Sequence, residues 1–319
     1  MDPFFVGKEK IASLLTMKEC IDVMEKMFRS FAGGQCMQPL RTIMRLPDKP
    51  GFLGMMPGYA KDLGVMGIKV ISVFRANKDA GYPSHQGVVM LLDAEHGQPL
   101  MIFDASEITA IRTAAASALA TALLSRENSK LLAIIGSGEQ AQRHIESIRL
   151  VRNIEQINLW SRSEKNAFRL AKKISSRYAV PITTTKTAQQ AVENADIICT
   201  VTSSPQPVVM GDWISRGTHI NAVGSSTPSS RELDTAAIVK SKLFTDCYDS
   251  LFNEAGDFLI PKKEGALTND HVNGELGEVL TGVKNGRESE DEITIFKSLG
   301  IAIEDIFACW FIFQKINSR

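Results

Sequence analysis

The stretch LLAIIGSGEQA, residues 131–141, decides the fold class of this chain. An apolar run leads into a G-x-G-x-x-A motif, and the segment that follows has the periodicity of a helix. Gly136 permits a tight turn, Gly138 leaves room for a phosphate against the backbone, and Ala141 lets the helix pack closely on the strand. Ser137 lies between the two glycines, at the same turn. The N–H groups at the start of such a helix bind phosphate. The motif therefore predicts a dinucleotide site.

The residues after this motif continue the same alternation of strands and helices. Alternating strands and helices predict an α/β fold with a doubly wound parallel sheet, the Rossmann arrangement. Apolar runs such as DIICTV are typical of strands that are buried on both faces. The predicted strands span residues 131–136, 156–161, 181–185, 196–202, 219–224 and 242–247.

The end of the second predicted strand bears on the choice of cofactor. An acidic residue there binds the ribose hydroxyls of NAD, but this chain has Ser161, Arg162 and Ser163 instead. A guanidinium with two hydroxyl groups suits a 2′-phosphate, so NADPH is favoured and NADH stays possible. The alternative is that Arg162 is an ordinary exposed loop residue.

Two further loops follow the fourth and fifth predicted strands. The first of these loops contains Thr202, and the second contains Val223 and Gly224. Ligands of open α/β sheets bind at the carboxyl ends of the strands, so we expect both loops to line the cofactor crevice near the nicotinamide. Ordinary surface turns are the alternative.

Outside the Rossmann segment the sequence predicts an α+β domain. Residues 8–33 have the pattern of one helix, and short β-rich runs between residues 39 and 105 predict a mostly antiparallel sheet. Residues 106–125 are rich in alanine and predict a helix, with Asp104 at its start and Glu107 in a capping arrangement. A last helix is predicted through residues 295–316, packed against this first domain.

Several charged residues stand in apolar surroundings in this first part. Lys69 lies inside MGIKVISVF and Arg41 inside PLRTIMRL. An unpaired buried ammonium is costly, so these two residues either clamp a carboxylate or lie at exposed strand positions. For Arg112, the alternative to a functional role is a surface position or an ion pair. For His85, the alternative is an ordinary turn residue.

Bulk composition limits the other possibilities. The 319 residues suit two domains, and 36 basic against 36 acidic residues give no electrostatic reason to expect nucleic acid or an acidic membrane as partner. We find no apolar run long enough to span a bilayer and no signal pattern, so a cytoplasmic protein is expected. The five cysteines are odd in number and form no C-x-x-C pair, so neither a disulfide framework nor a metal site is predicted.

Taken together, stretches along nearly the whole chain resemble the ornithine cyclodeaminase/μ-crystallin family. The resemblance implies a homodimer, with a dimerisation and substrate domain formed by residues 1–118 and 296–319 and an NAD(P)-binding Rossmann domain formed by residues 119–295. The stretches are QPLRT, GIKVISVF, YPSHQGVVMLLD, ITAIRTAAASALAT, IIGSGEQA, HINAVGSSTPSSRELD and FKSLGIAIED.

The resemblance also implies roles for individual residues. Arg41 and Lys69 are expected to bind the substrate carboxylate, with Arg112 helping at the same site. Ornithine cyclodeaminases carry a catalytic aspartate where this chain has Ser226, and a serine does not replace that base near neutral pH. The residues expected at the cofactor are Ser84, Arg112 and Thr113, Glu139 and Gln140 at the pyrophosphate, and Thr202.

The activity implied is that of the ketimine reductase and pyrroline-2-carboxylate reductase members. It is the NAD(P)H-dependent reduction of a cyclic imino acid, Δ1-pyrroline-2-carboxylate to L-proline or its six-membered homologue to L-pipecolate. The proton donor stays open between Lys69, His85 and a water held by Ser226. The alternatives are ornithine cyclodeamination, alanine-dehydrogenase-type reductive amination, and a non-catalytic binder that uses NADPH.

Overall fold

The computed structural model describes residues 4–49, 51–74, 77 and 81–318. The chain divides into two compact units. Unit 1 comprises Met1–Arg112 with Gly300–Arg319, and unit 2 comprises Thr113–Leu299. The sequence predicts domain boundaries after residues 118 and 295. In the structure the first boundary lies slightly earlier, after Arg112, and the second slightly later, after Leu299.

Unit 1 contains a seven-stranded sheet in the order β1-β7-β6-β5-β4-β2, with β3 also paired to β4. Its pairs are antiparallel except for β1 with β7, which confirms the mostly antiparallel sheet. The strands are β1 (Phe4–Val6), β2 (Cys36–Met37), β3 (Thr42–Arg45), β4 (Gly51–Ala60), β5 (Val65–Phe74), β6 (His85–Asp93) and β7 (Pro99–Asp104).

The N-terminal helix differs from the sequence prediction. Residues 8–33 form two helices, α1 (Lys8–Leu14) and α2 (Met17–Ala32), rather than one. Thr16 starts α2 with a capping box, in which its hydroxyl accepts the N–H of Glu19 and the Glu19 carboxylate accepts the N–H of Thr16. The T-x-x-E signature of this cap is present in the sequence, but the unbroken apolar periodicity concealed it.

Two longer helices complete this part of the chain. Helix α3 (Ala105–Leu124) begins where expected, because Asp104 accepts the N–H of Glu107 at 2.9 Å. The last helix, α11 (Ala302–Asn317), packs on α2 and on the face of the sheet formed by β4, β5 and β6. The predicted packing of the last helix against the first domain is therefore confirmed.

Unit 2 contains an eight-stranded, all-parallel sheet in the order β10-β9-β8-β11-β12-β15-β13-β14. The first five positions have the Rossmann order, with the switch point between β8 and β11. The strands are β8 (Leu131–Ile135), β9 (Gln156–Trp160), β10 (Ile182–Thr184), β11 (Ile197–Thr200), β12 (His219–Ala222), β13 (Lys242–Thr245), β14 (Val272–Glu275) and β15 (Thr294–Lys297). The helices are α4 (Glu139–Val151), α5 (Glu164–Ser175), α6 (Ala188–Val192), α7 (Thr235–Val239), α8 (Tyr248–Glu254), α9 (Gly256–Lys263) and α10 (Leu276–Leu280).

The predicted start of the last helix is wrong. Residues 294–297 form β15, which lies between β12 and β13 in the middle of the sheet, and α11 begins only at Ala302. Gly300 separates the two elements with a φ of 72°, a conformation that ends regular structure. A short, fully buried strand has no alternation that distinguishes it from the start of an apolar helix. Strand β14 was not predicted either.

Helix α3 corrects one statement about membrane segments. Its length and composition meet the criteria for a bilayer-spanning helix, contrary to the expectation that no run does. In the structure, 83% of its apolar window is buried inside the protein. Its apolar composition is therefore explained by internal packing.

Candidate active site

Unit 1 holds a cluster of buried charges beneath α11. The ammonium of Lys69, on β5, lies 2.6 Å from Oδ2 of Asp305, in the first turn of α11. Lys69 is 3% exposed and Asp305 is fully buried. Alternation along β5 turns Lys69 to the face that α11 covers, so the strand prediction and the buried lysine are consistent with one another.

Arg112, on α3, is the second cation of the cluster. Its Nε donates to Oδ1 of Asp305 at 2.9 Å, and its Nη1 donates to Oε2 of Glu304 at 2.6 Å. Asp305 therefore bridges Lys69 and Arg112, whereas Glu304 forms its ion pair with Arg112. The interpretation of Arg112 as a surface residue is wrong, because it is 3% exposed.

Arg41 and Gly300 complete the cluster. Nη2 of Arg41 donates to the carbonyl oxygen of Gly300 at 3.1 Å. A Cβ atom at Gly300 would lie 2.6 Å from Nη1 of Arg112, and the φ of 72° also favours glycine there. Gly300, which precedes α11, thus lies against both arginines.

The electrostatics of the cluster follow from its burial. The pKa of Lys69 is lowered to about 8, chiefly by burial and also by the nearby Arg112 and Arg41, while Asp305 opposes them. Burial would raise the pKa of Asp305, but Arg112 and Lys69 outweigh that effect and hold the pKa below its usual value. Lys69 is therefore a cation that exchanges its proton close to neutral pH.

The acidic members of the cluster were not predicted from the sequence. Glu304 and Asp305 lie in the stretch FKSLGIAIED, which carried the family resemblance, but no role was assigned to them. The available signal is a pair of adjacent acids inside an otherwise apolar helix. Such acids are almost never fully buried unless cations face them.

In unit 2 the glycine motif forms the turn that the sequence predicts. Gly136 has a φ of 127°, and a Cβ atom there would lie 2.8 Å from the carbonyl oxygen of Val201, after β11. No atom lies within 4 Å of a Cβ placed on Gly138, which caps α4. The N-terminus of α4 thus has space beside Gly138 for a ligand, with Glu139 exposed and Gln140 half-buried in the first turn.

The serine and arginine residues after β9 lie beside this turn. The hydroxyl groups of Ser137 and Ser161 are 2.8 Å apart, which joins the glycine turn to the end of β9. Ser163 caps α5 by accepting the N–H of Asn166. Arg162, between the two serines, is exposed and forms no ion pair with any residue that the structure describes.

The loops after β11 and β12 lie against each other. A Cβ atom on Gly224 would lie 2.1 Å from the carbonyl oxygen of Thr202, and both residues donate their backbone N–H to Glu232. Val223 and Ser226 are half-buried in the second loop. The structure therefore brings together Thr202, Val223 and Gly224, as the sequence predicted for residues at the carboxyl ends of adjacent strands.

The other predicted residues lie elsewhere. The Ser84 hydroxyl contacts Nδ1 of His85 at 3.0 Å, and His85 is exposed at the start of β6. His85 pairs with Val73 in the sheet, whereas Lys69 pairs with Val89, so the two are not cross-strand neighbours. Thr113 follows Arg112 in α3 and is 6% exposed.

Comparisons with known proteins agree with this architecture. The Delta(1)-pyrroline-2-carboxylate reductase of Bacillus cereus is 36% identical over 304 residues, which cover 95% of this chain and 93% of that protein. The solved structure of the Thermococcus litoralis Delta(1)-pyrroline-2-carboxylate reductase, in complex with NADH and L-proline, is 39% identical with a TM-score of 0.96, over 99% of this chain and 98% of that one. An archaeal alanine dehydrogenase dimer with bound NAD is 31% identical with a TM-score of 0.94, over 100% and 97% of the two chains.

The family assignment covers the complete sequence. The model of the ornithine cyclodeaminase/mu-crystallin family matches residues 1–319, which agrees with the resemblance found in the sequence. The relatives match over nearly their full lengths as well, so both units are shared with them. The chain belongs to the ornithine cyclodeaminase/mu-crystallin family.

Proposed function

We propose that this protein reduces a cyclic imino acid with NAD(P)H, converting Δ1-pyrroline-2-carboxylate to L-proline. Two similar proteins bear that reductase name, and one of them was solved with NADH and L-proline. The six-membered homologue, which gives L-pipecolate, differs by one methylene group and is a second substrate to test. The protein acts on a small molecule, and the proposal involves neither nucleic acid nor a membrane.

The observation that carries the proposal is the convergence of three cations in one cluster. The ammonium of Lys69 and the guanidinium of Arg112 share the Asp305 carboxylate, and the guanidinium of Arg41 donates to the carbonyl oxygen of Gly300 beside Arg112. Cations gathered in this way suit a substrate carboxylate, and guanidinium groups bind carboxylates with two parallel hydrogen bonds.

The second unit is suited to hold the cofactor. Gly136 and Gly138 leave the N-terminus of α4 open to a pyrophosphate, and the loops with Thr202 and Gly224 end the neighbouring strands. When bound, NAD(P)H supplies the hydride that reduces the C=N carbon. The residues of this chain supply position and charge.

Among the proton donors that the sequence left open, we assign this role to Lys69. Its pKa of about 8 keeps it mostly protonated at neutral pH, yet able to release the proton to an imine or amine nitrogen. Arginine cannot release a proton in this range. His85 is exposed and is not a cross-strand neighbour of Lys69, and Ser226 forms no hydrogen bond with a described side chain that would activate a water.

The test is a substrate panel with both reduced cofactors. We expect oxidation of NAD(P)H with Δ1-pyrroline-2-carboxylate or its six-membered homologue, and much slower oxidation with pyruvate plus ammonia. Release of ammonia from ornithine would instead favour cyclodeamination, which Ser226 in place of an aspartate argues against. Tight cofactor binding without turnover of any imino or keto acid would favour a non-catalytic binder.

Cofactor preference gives a separate prediction, because the two similar solved structures contain NADH and NAD. We propose that Arg162 pairs with the 2′-phosphate of NADPH, so Arg162→Ala should raise the KM for NADPH by about 10-fold or more. The KM for NADH should change by less than about 2-fold, since NADH lacks that phosphate. Arg169, exposed on α5, provides a control substitution to alanine that removes one cation without these effects. Equal changes for both cofactors in Arg162→Ala would contradict the assignment.

We also propose a homodimer that forms through the sheet of unit 1. The face of this sheet opposite α11 is apolar and only half-buried in the single chain. Register places Ile68 between Pro57 and Met90, and Val70 between Met55 and Val88, so these side chains form one continuous surface. A second copy of this chain is the proposed occupant, supported by the dimeric alanine dehydrogenase relative.

The predicted effect of a charge on this face is dissociation. Met90→Asp should convert the dimer to a monomer in light scattering after size-exclusion chromatography, because an unpaired carboxylate buried in an apolar interface is costly. Phe168→Asp is the matched control, since Phe168 is 67% exposed on α5 in unit 2. A dimer that persists in Met90→Asp would exclude this face as the interface.

The five cysteines are present as thiols. Thiols of this kind are typical of a reducing compartment, which supports the proposed cytoplasmic location.

A further inference from the structure

One buried carboxylate of unit 2 connects two neighbouring strand ends. Oε1 of Glu232 accepts the backbone N–H of Thr202 at 2.6 Å, and Oε2 accepts the backbone N–H of Gly224 at 2.7 Å. Thr202 follows β11 and Gly224 follows β12, two adjacent parallel strands. Glu232 is fully buried, so both oxygens are used inside the protein rather than in water.

Glu232 is itself held by a second carboxylate. Oδ1 of Asp257, at the start of α9, accepts the backbone N–H of Glu232 at 2.8 Å and that of Leu233 at 3.0 Å. The other oxygen of Asp257 lies 3.0 Å from the ammonium of Lys297. Both carboxylates therefore belong to one buried network.

Lys297 extends this network to a third strand. It is the last residue of β15, and its ammonium donates to the carbonyl oxygens of Ala222 at 3.2 Å and Ser225 at 2.5 Å. The network of Glu232, Asp257 and Lys297 thus connects the carboxyl ends of β11, β12 and β15. None of these three residues was assigned a function from the sequence.

The network leaves the two loops little freedom to move. Gly224 lies so close to Thr202 that a Cβ atom would meet the carbonyl oxygen at 2.1 Å. Hydrogen bonds to an ionised carboxylate are stronger than those between neutral groups. Loss of the Glu232 charge would therefore release both loops together, rather than one side chain.

We infer that Glu232 is a positioning residue that fixes the Thr202 and Gly224 loops for the nicotinamide half of the cofactor. The inference rests on the proposed function, because the carboxyl ends of β11 and β12 become the nicotinamide site only in an NAD(P)H enzyme. Glu232 acts through the backbone of the loops. The Gly136–Gly138 turn, which would hold the adenine half, has no contact with Glu232 among the hydrogen bonds of the described residues.

The test separates the two halves of the cofactor. In Glu232→Gln an amide N–H₂ replaces one of the two acceptors, so one backbone N–H loses its partner. We expect the dissociation constant of the preferred reduced cofactor, measured by nicotinamide fluorescence, to rise by about 10-fold or more. The dissociation constant of ADP, which carries no nicotinamide, should change by less than about 2-fold in calorimetry.

Asp234→Asn is the matched control variant. Asp234 is two residues away and also accepts two backbone N–H groups, from Gly211 at 2.8 Å and Ala237 at 2.9 Å, but neither lies in the two loops. Its substitution should leave both dissociation constants near those of the wild type. Glu232→Asp, which keeps the charge but shortens the side chain, should behave like Glu232→Gln.

ADP binding also reports whether each variant is folded. Equal losses for cofactor and ADP in both Glu232 variants would overturn the inference, and so would unchanged binding of both ligands. Failure of the wild type to bind any reduced cofactor would overturn the proposed function itself, so the two failures are distinguishable.

Discussion

Replacing Lys69 by methionine is expected to lower kcat/KM for Δ1-pyrroline-2-carboxylate by roughly 10²–10⁴-fold, the usual contribution of a general acid. Methionine keeps most of the side-chain length in the buried site and removes both the charge and the proton. The cluster would also lose one of its three cations, so the substrate carboxylate would bind less favourably. Steady-state kinetics with the preferred reduced cofactor measure this effect.

Lys69→Arg separates the two roles of this residue. Arginine keeps the positive charge but does not release a proton, so we expect kcat to fall strongly while the KM of the imino acid changes little. Because Asp305 loses an ion-pair partner in Lys69→Met, thermal melting of each variant is the control for folding. Wild-type kcat/KM in folded Lys69→Met would remove Lys69 from the mechanism.

The part of the fold that the sequence predicts best is determined by local patterns. The glycine motif, the apolar β8 run and the helix that follows are adjacent in the chain, so their geometry is readable from a short window. Gly136, Gly138, Thr202 and Gly224 are accordingly found at strand ends, where a Rossmann sheet needs them.

Strand β15 shows where local patterns fail. Its residues are buried on all sides, and they reach the centre of the sheet from a position near the end of the chain. The parallel partners that define it, β12 and β13, lie far away in sequence. The four residues Thr294–Lys297, read as a window before a long helix, contain no information about those partners.

The acidic residues of the cluster were missed for a related reason. Lys69 and Asp305 come from opposite ends of the chain, and only the packing of α11 on β5 brings them together. The sequence therefore predicted a carboxylate clamp from its cations, but it did not reveal the carboxylates that hold those cations in place. This difference matters for function, because Asp305 opposes the fall in the pKa of Lys69.

Asp305→Asn should therefore move the alkaline limb of the kcat/KM profile to lower pH. Activity requires protonated Lys69 in the proposed mechanism, so the wild type should lose activity as the pH rises through about 8. Without the Asp305 carboxylate, burial and the two arginines lower the pKa of Lys69 with less opposition. For each pH unit of displacement, activity above both pKa values falls about 10-fold, whereas the loss at acidic pH is smaller.

Glu304→Gln distinguishes this effect from general damage to the cluster. Glu304 is as buried as Asp305 and pairs with Arg112 at 2.6 Å, but Asp305 is the carboxylate that pairs with Lys69. We expect Glu304→Gln to raise the KM of the imino acid through a less well fixed Arg112, with the alkaline limb close to that of the wild type. If both variants shift the limb equally, or if neither does, the pH dependence does not come from the Lys69–Asp305 pair.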